Sequence, residues 1–113
     1  LFPRAMGLDR ALKMTMLAEV YDAKTALELG LVTEVVPEAE LEARTMAFAR
    51  ALAARAPLAV RLAKAMMVRG LTTSLDHSLS DAALSVMVAN PTQDVREGVK
   101  AFFEKREPKF EGR

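Results

Sequence analysis

The side chains best suited to binding chemistry lie close together near the C-terminal end of the sequence. Aromatic and cationic residues mix there, at Phe102, Phe103, Lys105, Arg106, Lys109 and Phe110. Cations beside aromatic rings can hold a phosphate group and stack against a nucleobase. A helix that ends in basic residues and buries two rings would show the same composition. The residue types alone leave both interpretations open.

Other residues that could do chemistry lack the partners that the chemistry needs. His77, the single histidine, lies in the first turns of a predicted helix, with no cysteine or second histidine to share a metal ion. Glu38, Glu40 and Glu42 follow one another at intervals of two, and positions two apart on a helix point away from each other. No serine belongs to a G-x-S-x-G phrase. Gly98 lies in the middle of a helical pattern, which close approach of another backbone or a ligand would explain. We therefore predict no catalytic residue and no metal site in this sequence.

The composition limits the classes of protein to which the chain can belong. Its 113 residues are 51% hydrophobic and 27% charged, which is typical of a globular domain or part of one. The net charge of +1 gives no electrostatic reason to expect nucleic acid or a membrane surface as a partner. The absence of cysteine excludes a disulfide framework and a thiolate metal site. We expect a cytoplasmic protein, because no apolar run approaches the roughly 20 residues of a membrane span.

Hydrophobic periodicity predicts a mainly α chain with about six helices and one short strand. Helix starts are marked by Asp22, by the polar turn at 72–74 and by Thr92, whose side chains can accept hydrogen bonds from free amides. Pro57 begins a further helix at a position where its missing amide costs little. The six predicted helices cover approximately residues 8–19, 23–30, 38–54, 57–70, 75–90 and 93–106.

The strand candidate needs a strand to pair with, and the apolar helix faces need a surface to pack against. Residues 31–36 are rich in branched side chains and are followed by Pro37, which stops a strand. One strand cannot satisfy its own backbone groups, so we expect it to pair outside this chain or to lie at an unpaired edge. Each helix carries an apolar stripe that we expect to be buried, with Val95, Val99 and Phe102 on the last helix. Stripes on the other helices include Leu8, Leu12, Met16, Leu41, Phe48, Leu52, Leu75, Leu79 and Val86.

Three phrases of the sequence resemble one protein family in their order and spacing. The segment 26–37 reads A-L-E-L-G-L-V-T-E-V-V-P, and the segment 1–7 reads L-F-P-R-A-M-G. The segment 97–112 is similar to the pattern E-G-x-x-A-F-x-E-K-R-x-P-x-F-x-G. Together they resemble the last part of crotonase-superfamily proteins, the enoyl-CoA hydratases and isomerases. The resemblance implies the C-terminal helical portion of a crotonase-like α/β spiral fold, with 1–37 as the end of the core and 38–113 as a helical oligomerisation region.

The resemblance also implies a function and a pair of binding residues. Enzymes of this family, lyases or isomerases of fatty acid metabolism, polarise an acyl-CoA thioester with two backbone amides and stabilise an enolate in this oxyanion hole. No cofactor is implied beyond the CoA of the substrate itself. Residues at the places of Phe102 and Lys105 lie near the acyl-CoA in the family, often near one bound mainly by a neighbouring subunit. We therefore predict Phe102 and Lys105 as binding residues.

The family pattern places the oxyanion-hole amides and the catalytic glutamates before the phrase that begins here at Leu1. No residue of this sequence matches them, so we expect this chain to be an inactive fragment of a homo-oligomeric enzyme, a trimer or a dimer of trimers. The alternative is a stand-alone helical interaction module without ligand or catalysis. Binding of CoA distinguishes the two. With its apolar faces uncovered, the chain by itself is expected to self-associate or to be molten.

Overall fold

The computed structural model describes all residues from 1 to 113. It is 69% helical and contains no strand, which confirms the mainly α prediction. None of its helices combines the length and the apolar character needed to cross a bilayer. The helices are α1 (Phe2–Met6), α2 (Leu8–Leu17), α3 (Ala23–Glu28), a 3-10 turn (Glu38–Glu40), α4 (Leu41–Ala53), α5 (Pro57–Gly70), α6 (Leu75–Ala89) and α7 (Gln93–Glu104).

Most helix starts lie where the capping residues predict them. The side chain of Asp22 accepts a hydrogen bond from the Thr25 amide at 2.8 Å. Ser74 and Thr92 cap α6 and α7 in the same way, each accepting from the amide three residues later. Pro57 is the first residue of α5. Helix α1 was not predicted, because the proline in this short segment suggested a lead-in; proline is compatible with the first turn of a helix.

The prediction of a short strand at residues 31–36 is wrong for this chain. The segment has no regular secondary structure and runs from α3 to the 3-10 turn. Its branched side chains favour extended backbone, but a strand also needs a partner strand, and the chain offers none. Gly30 does stop the preceding helix as predicted, with φ +73 in the left-handed region that favours glycine. An ion pair of 2.7 Å between Glu34 and Arg44 links the segment to α4.

The chain divides into two compact units, residues 1–44 and 45–113. In the first unit α1 packs against α2, and Met6 and Ala11 are buried. In the second unit α5 packs against α6, and Arg69 contacts Asp81 at 3.2 Å. The assignment of residues 1–37 to the end of the core and of residues 38–113 to an oligomerisation region stays a prediction. Compact units do not show which residues belong to a core or to an oligomer interface.

The expectation that the apolar stripes are buried is wrong for most helices. All nine residues predicted on α2, α4 and α6 are exposed, and so are Val99 and Phe102 on α7. The stripes follow helical periodicity correctly, but these side chains are left exposed. Exposed apolar faces of this kind are typical of interaction surfaces.

Candidate functional site

Helix α7 ends in a cap that places a lysine in an unusual backbone conformation. Lys105 has φ 52 and ψ 41, in the left-handed region. Its amide donates to the Phe102 carbonyl at 3.3 Å, and the Arg106 amide donates to the Ala101 carbonyl at 3.1 Å. This pair of hydrogen bonds is the Schellman motif, in which the left-handed residue is usually glycine. A lysine there costs roughly 1–2 kcal/mol of backbone strain, so other contacts must hold the turn.

Phe102 and Lys105 are both presented to solvent at this cap. Phe102 and Phe103 are each 78% exposed. Their ring centroids lie 5.7 Å apart at 78°, an edge-to-face pair. The Lys105 ammonium group is exposed and makes no ion pair, unlike that of Lys100 on the same helix. The structure therefore places an accessible aromatic ring and a cation without an ion pair at the same cap, whereas the sequence also predicts Phe102 to be buried.

Glu97 holds the chain that follows Lys105. Its Oε1 accepts from Nη1 of Arg106 at 2.6 Å and from the Lys109 amide at 2.8 Å, and its Oε2 accepts from Nη2 of Arg106 at 2.9 Å. The Arg106 Nε donates to Glu104 at 2.6 Å, so this guanidinium is fully engaged. A bidentate pair of this kind fixes orientation as well as position.

The same contacts set the ionisation of Glu97. Hydrogen bonds from Arg106 and from the Lys109 amide lower the pKa of Glu97 to about 2, from an ordinary value of 4.5. A lowered pKa means that the pair contributes stability above pH 4.5 and loses it as the pH falls towards 2. At neutral pH Glu97 is ionised and the pair is intact.

Asp94 holds the last residues of the chain against the first turn of α7. Its side chain is 4% exposed and accepts from the amides of Glu111 at 2.7 Å and Gly112 at 2.9 Å. The Asp94 amide donates in turn to the Arg113 carbonyl at 3.1 Å. The buried carboxylate therefore has hydrogen-bond partners for both oxygens, as a buried charge requires.

The buried side of α7 is a different face from the predicted one. Asp94, Gly98 and Ala101 lie at i, i+4 and i+7 and are buried or half-buried under the returning tail. The sequence predicts no hydrogen-bonding role for the side chains of Asp94 and Glu97. A stripe of one acidic and two small residues is the signal that could have identified this face. The atoms nearest to a Cβ at Gly98 belong to the side chain of Phe110, rather than to another backbone.

Replacing Gly98 with alanine should stabilise α7. A Cβ at Gly98 would lie 3.6 Å from Cε1 of Phe110, an ordinary van der Waals contact, so the methyl group fits. Alanine is favoured over glycine in a helix interior by about 1 kcal/mol. We expect slower amide hydrogen exchange across α7 in Gly98→Ala. Gly30→Ala is the control and should destabilise, because φ is +73 there and the Cβ would lie 3.4 Å from the Ala5 carbonyl oxygen. Faster exchange in Gly98→Ala would contradict this packing.

A cleft along α7 does not contain the predicted binding residues. It is open, measures about 840 Å³ and lies between α7 and the tail, bordered by Arg96, Lys100 and Lys109 among others. Phe102 and Lys105 do not border it. His77 is part of the α6 cap, with Nδ1 2.8 Å from the Ser74 hydroxyl oxygen. No group of three or more His, Cys, Asp or Glu side chains is arranged to hold a metal ion.

A family model described as enoyl-CoA hydratase/isomerase matches residues 1–113. The chain belongs to this family. Among curated relatives, the (E)-benzylidenesuccinyl-CoA hydratase of Thauera aromatica is 37% identical over 110 residues, which cover 97% of this chain and 43% of that protein. The crotonyl-CoA hydratase of Syntrophomonas wolfei is 36% identical over 108 residues, covering 96% of this chain and 42% of the relative.

A solved enoyl-CoA hydratase shows the same fold. The structure from Bacillus anthracis superposes with a TM-score of 0.94 at 35% identity, covering 98% of this chain and 43% of that one. The predicted membership of the crotonase superfamily, in its helical C-terminal part, is confirmed. The chain spans less than half the length of these enoyl-CoA hydratase/isomerase relatives. The binding roles of Phe102 and Lys105 stay predictions.

Proposed function

We propose that this chain is the C-terminal part of an enoyl-CoA hydratase or isomerase that acts on an acyl-CoA thioester. Relatives of the chain are named for the hydration of benzylidenesuccinyl-CoA, crotonyl-CoA and methylglutaconyl-CoA. Their acyl groups differ and the CoA portion is common to all. The observation that carries the proposal is the exposed, unpaired Lys105 beside the exposed ring of Phe102 at the cap of α7.

These two side chains suit the nucleotide end of CoA. An exposed aromatic ring offers a face or an edge on which adenine can stack. A lysine ammonium is a flexible point charge suited to a phosphate group. The neighbouring Arg106 cannot take this role without leaving Glu97 and Glu104, so Lys105 is the free cation of the cap. CoA belongs to the substrate, and the proposal includes no separate cofactor.

The reaction itself is assigned to parts of the enzyme outside this chain. The proposed chemistry is the stabilisation of a thioester enolate by hydrogen-bond donors in an oxyanion hole. The chain by itself is proposed to be inactive. The exposed apolar faces support assembly into a homo-oligomer, for which a trimer or a dimer of trimers is proposed. The cytoplasmic location expected from the sequence also remains part of the proposal.

Reversing the charge of Lys105 should weaken CoA binding. In the complete polypeptide that the gene encodes, we expect Lys105→Glu to raise the Kd for CoA by about tenfold or more, since an attraction of about 1.4 kcal/mol is lost. Lys64→Glu on α5 is the matched control: the same charge change at an exposed lysine without an ion pair. Titration calorimetry measures both. An unchanged Kd in Lys105→Glu would overturn the Lys105 contact, and no CoA binding by the unaltered protein would favour the helical interaction module.

A further inference from the structure

Glu97, which lies earlier on α7, makes the contacts that hold the strained turn at Lys105. Lys105 has a left-handed backbone although it is not glycine, and such strain persists only where surrounding contacts over-determine it. The residue that follows it, Arg106, is bound by both oxygens of Glu97, at 2.6 and 2.9 Å. Glu97 also accepts from the Lys109 amide at 2.8 Å, four residues beyond Lys105. One carboxylate thus binds the chain at two points after the turn.

We infer that Glu97 is a positioning residue for the CoA contact and acts by fixing the left-handed turn of Lys105. This inference rests on the proposed function of the cap. Glu97 is more than two helical turns before Lys105 in the sequence and makes no hydrogen bond or ion pair with it. Its effect on the ligand is therefore indirect, through the direction in which the Lys105 side chain leaves the helix.

The ion pair between Glu97 and Arg106 gives different roles to the adjacent cations Lys105 and Arg106. Arg106 donates to Glu97, to Glu104 and to the Glu107 carbonyl, which occupies Nε and both terminal nitrogens. Lys105 has no such partner. Without Glu97, the Arg106 guanidinium would keep only Glu104 and the Glu107 carbonyl as partners, and the turn would be free to relax to less strained conformations. The cap would keep its two cations and lose its geometry.

A cap that loses the geometry of its turn but keeps Lys105 and Arg106 should show a specific kinetic pattern. In Glu97→Gln the amide keeps one acceptor oxygen but loses the negative charge that pairs with Arg106. We expect the KM for crotonyl-CoA to rise about three- to tenfold in the complete polypeptide, with kcat unchanged, because the contact is remote from the thioester. With crotonyl-pantetheine, which lacks the nucleotide, the KM should stay the same. A general loss of folding would instead reduce activity on both substrates.

A charge exchange provides a second test. Glu97→Arg alone places two cations together and should raise the KM for crotonyl-CoA more than Glu97→Gln does. Adding Arg106→Glu restores an opposite-charge pair across the turn and should return the KM to within about threefold of the original, given that reversed pairs seldom recover ideal geometry. No rescue by the second change would overturn the positioning role.

The outcomes separate this inference from the proposed function. A higher KM in both Lys105→Glu and Glu97→Gln, confined to the CoA substrate, supports both. A higher KM in Lys105→Glu alone overturns the role of Glu97 and leaves the CoA contact standing. Equal losses with crotonyl-CoA and crotonyl-pantetheine in Glu97→Gln overturn the positioning role in favour of a purely structural one. No effect of either variant on CoA substrates overturns the proposed contact itself.

Discussion

Produced alone, the 113-residue chain should not behave as a monodisperse monomer. Apolar side chains on α4 and α6 lie open to solvent, and Phe48, Leu79 and Met87 are each at least 60% exposed. Exposed apolar area of this kind favours self-association or a molten state.

Two measurements test this expectation. Sedimentation velocity at micromolar concentration should show oligomers or a broad distribution, and the dye ANS should bind with enhanced fluorescence. A variant with Leu79→Gln and Met87→Gln should bind less ANS, whereas Ser80→Gln, a substitution at an exposed polar residue of the same helix, should not change it. A sharp cooperative thermal transition from a monodisperse monomer would show that the exposed faces need no partner.

Asp94→Ala should release the C-terminal tail from α7. The change removes the acceptor of two backbone amides, those of Glu111 and Gly112. A buried donor left without a partner costs roughly 1–3 kcal/mol. The tail can avoid part of this cost by detaching into water, and it then uncovers Phe110 and Gly98. We expect a local destabilisation of about 2–3 kcal/mol, which corresponds to roughly 30- to 150-fold faster exchange of the two amides.

Hydrogen exchange on the complete polypeptide gives the most direct measurement. The amides of Glu111 and Gly112 report the tail, and the amides of α5 serve as an internal reference that should not change. Asp94→Asn keeps one acceptor oxygen and should give an intermediate effect. Glu111→Ala is a matched control, because it removes only an exposed ion pair to Arg113, worth under about 1 kcal/mol. Unchanged exchange in Asp94→Ala would show that the side chain does not hold the tail.

The sequence was sufficient to predict the helices from α2 to α7. It was not sufficient to predict what packs against them. Caps such as Asp22 and Thr92 act within one helical turn, so local sequence predicts them well. The apolar stripes were also placed correctly, but burial depends on a partner that the sequence of one chain does not describe. The strand prediction at 31–36 was wrong for the same reason, because a strand exists only through its pairing.

The same difference between local and long-range features applies to the candidate site. The exposed pair Phe102 and Lys105 could be chosen from residue types and the family resemblance, although Phe102 was also predicted to be buried. The contacts that hold the site could not be predicted, because the side chains of Asp94 and Glu97 act on residues 9 to 18 positions away. Hydrogen bonds from a helix to an irregular tail leave no periodic pattern in the sequence. The only sign of these hydrogen bonds in the sequence is the stripe on α7 that contains Gly98 and Ala101.

The return of the tail along α7 has a consequence for the order of folding. The hydrogen bonds between α7 and the tail beyond Lys105 join residues at most 19 positions apart, from that of the Lys109 amide to Glu97 to that of the Asp94 amide to the Arg113 carbonyl. Closing loops of this length costs little entropy, and structures rich in local contacts form rapidly. Residues 93–113 can therefore form their native contacts before any partner protein arrives. The cap of α7 would then be a preformed part of the structure rather than a product of assembly.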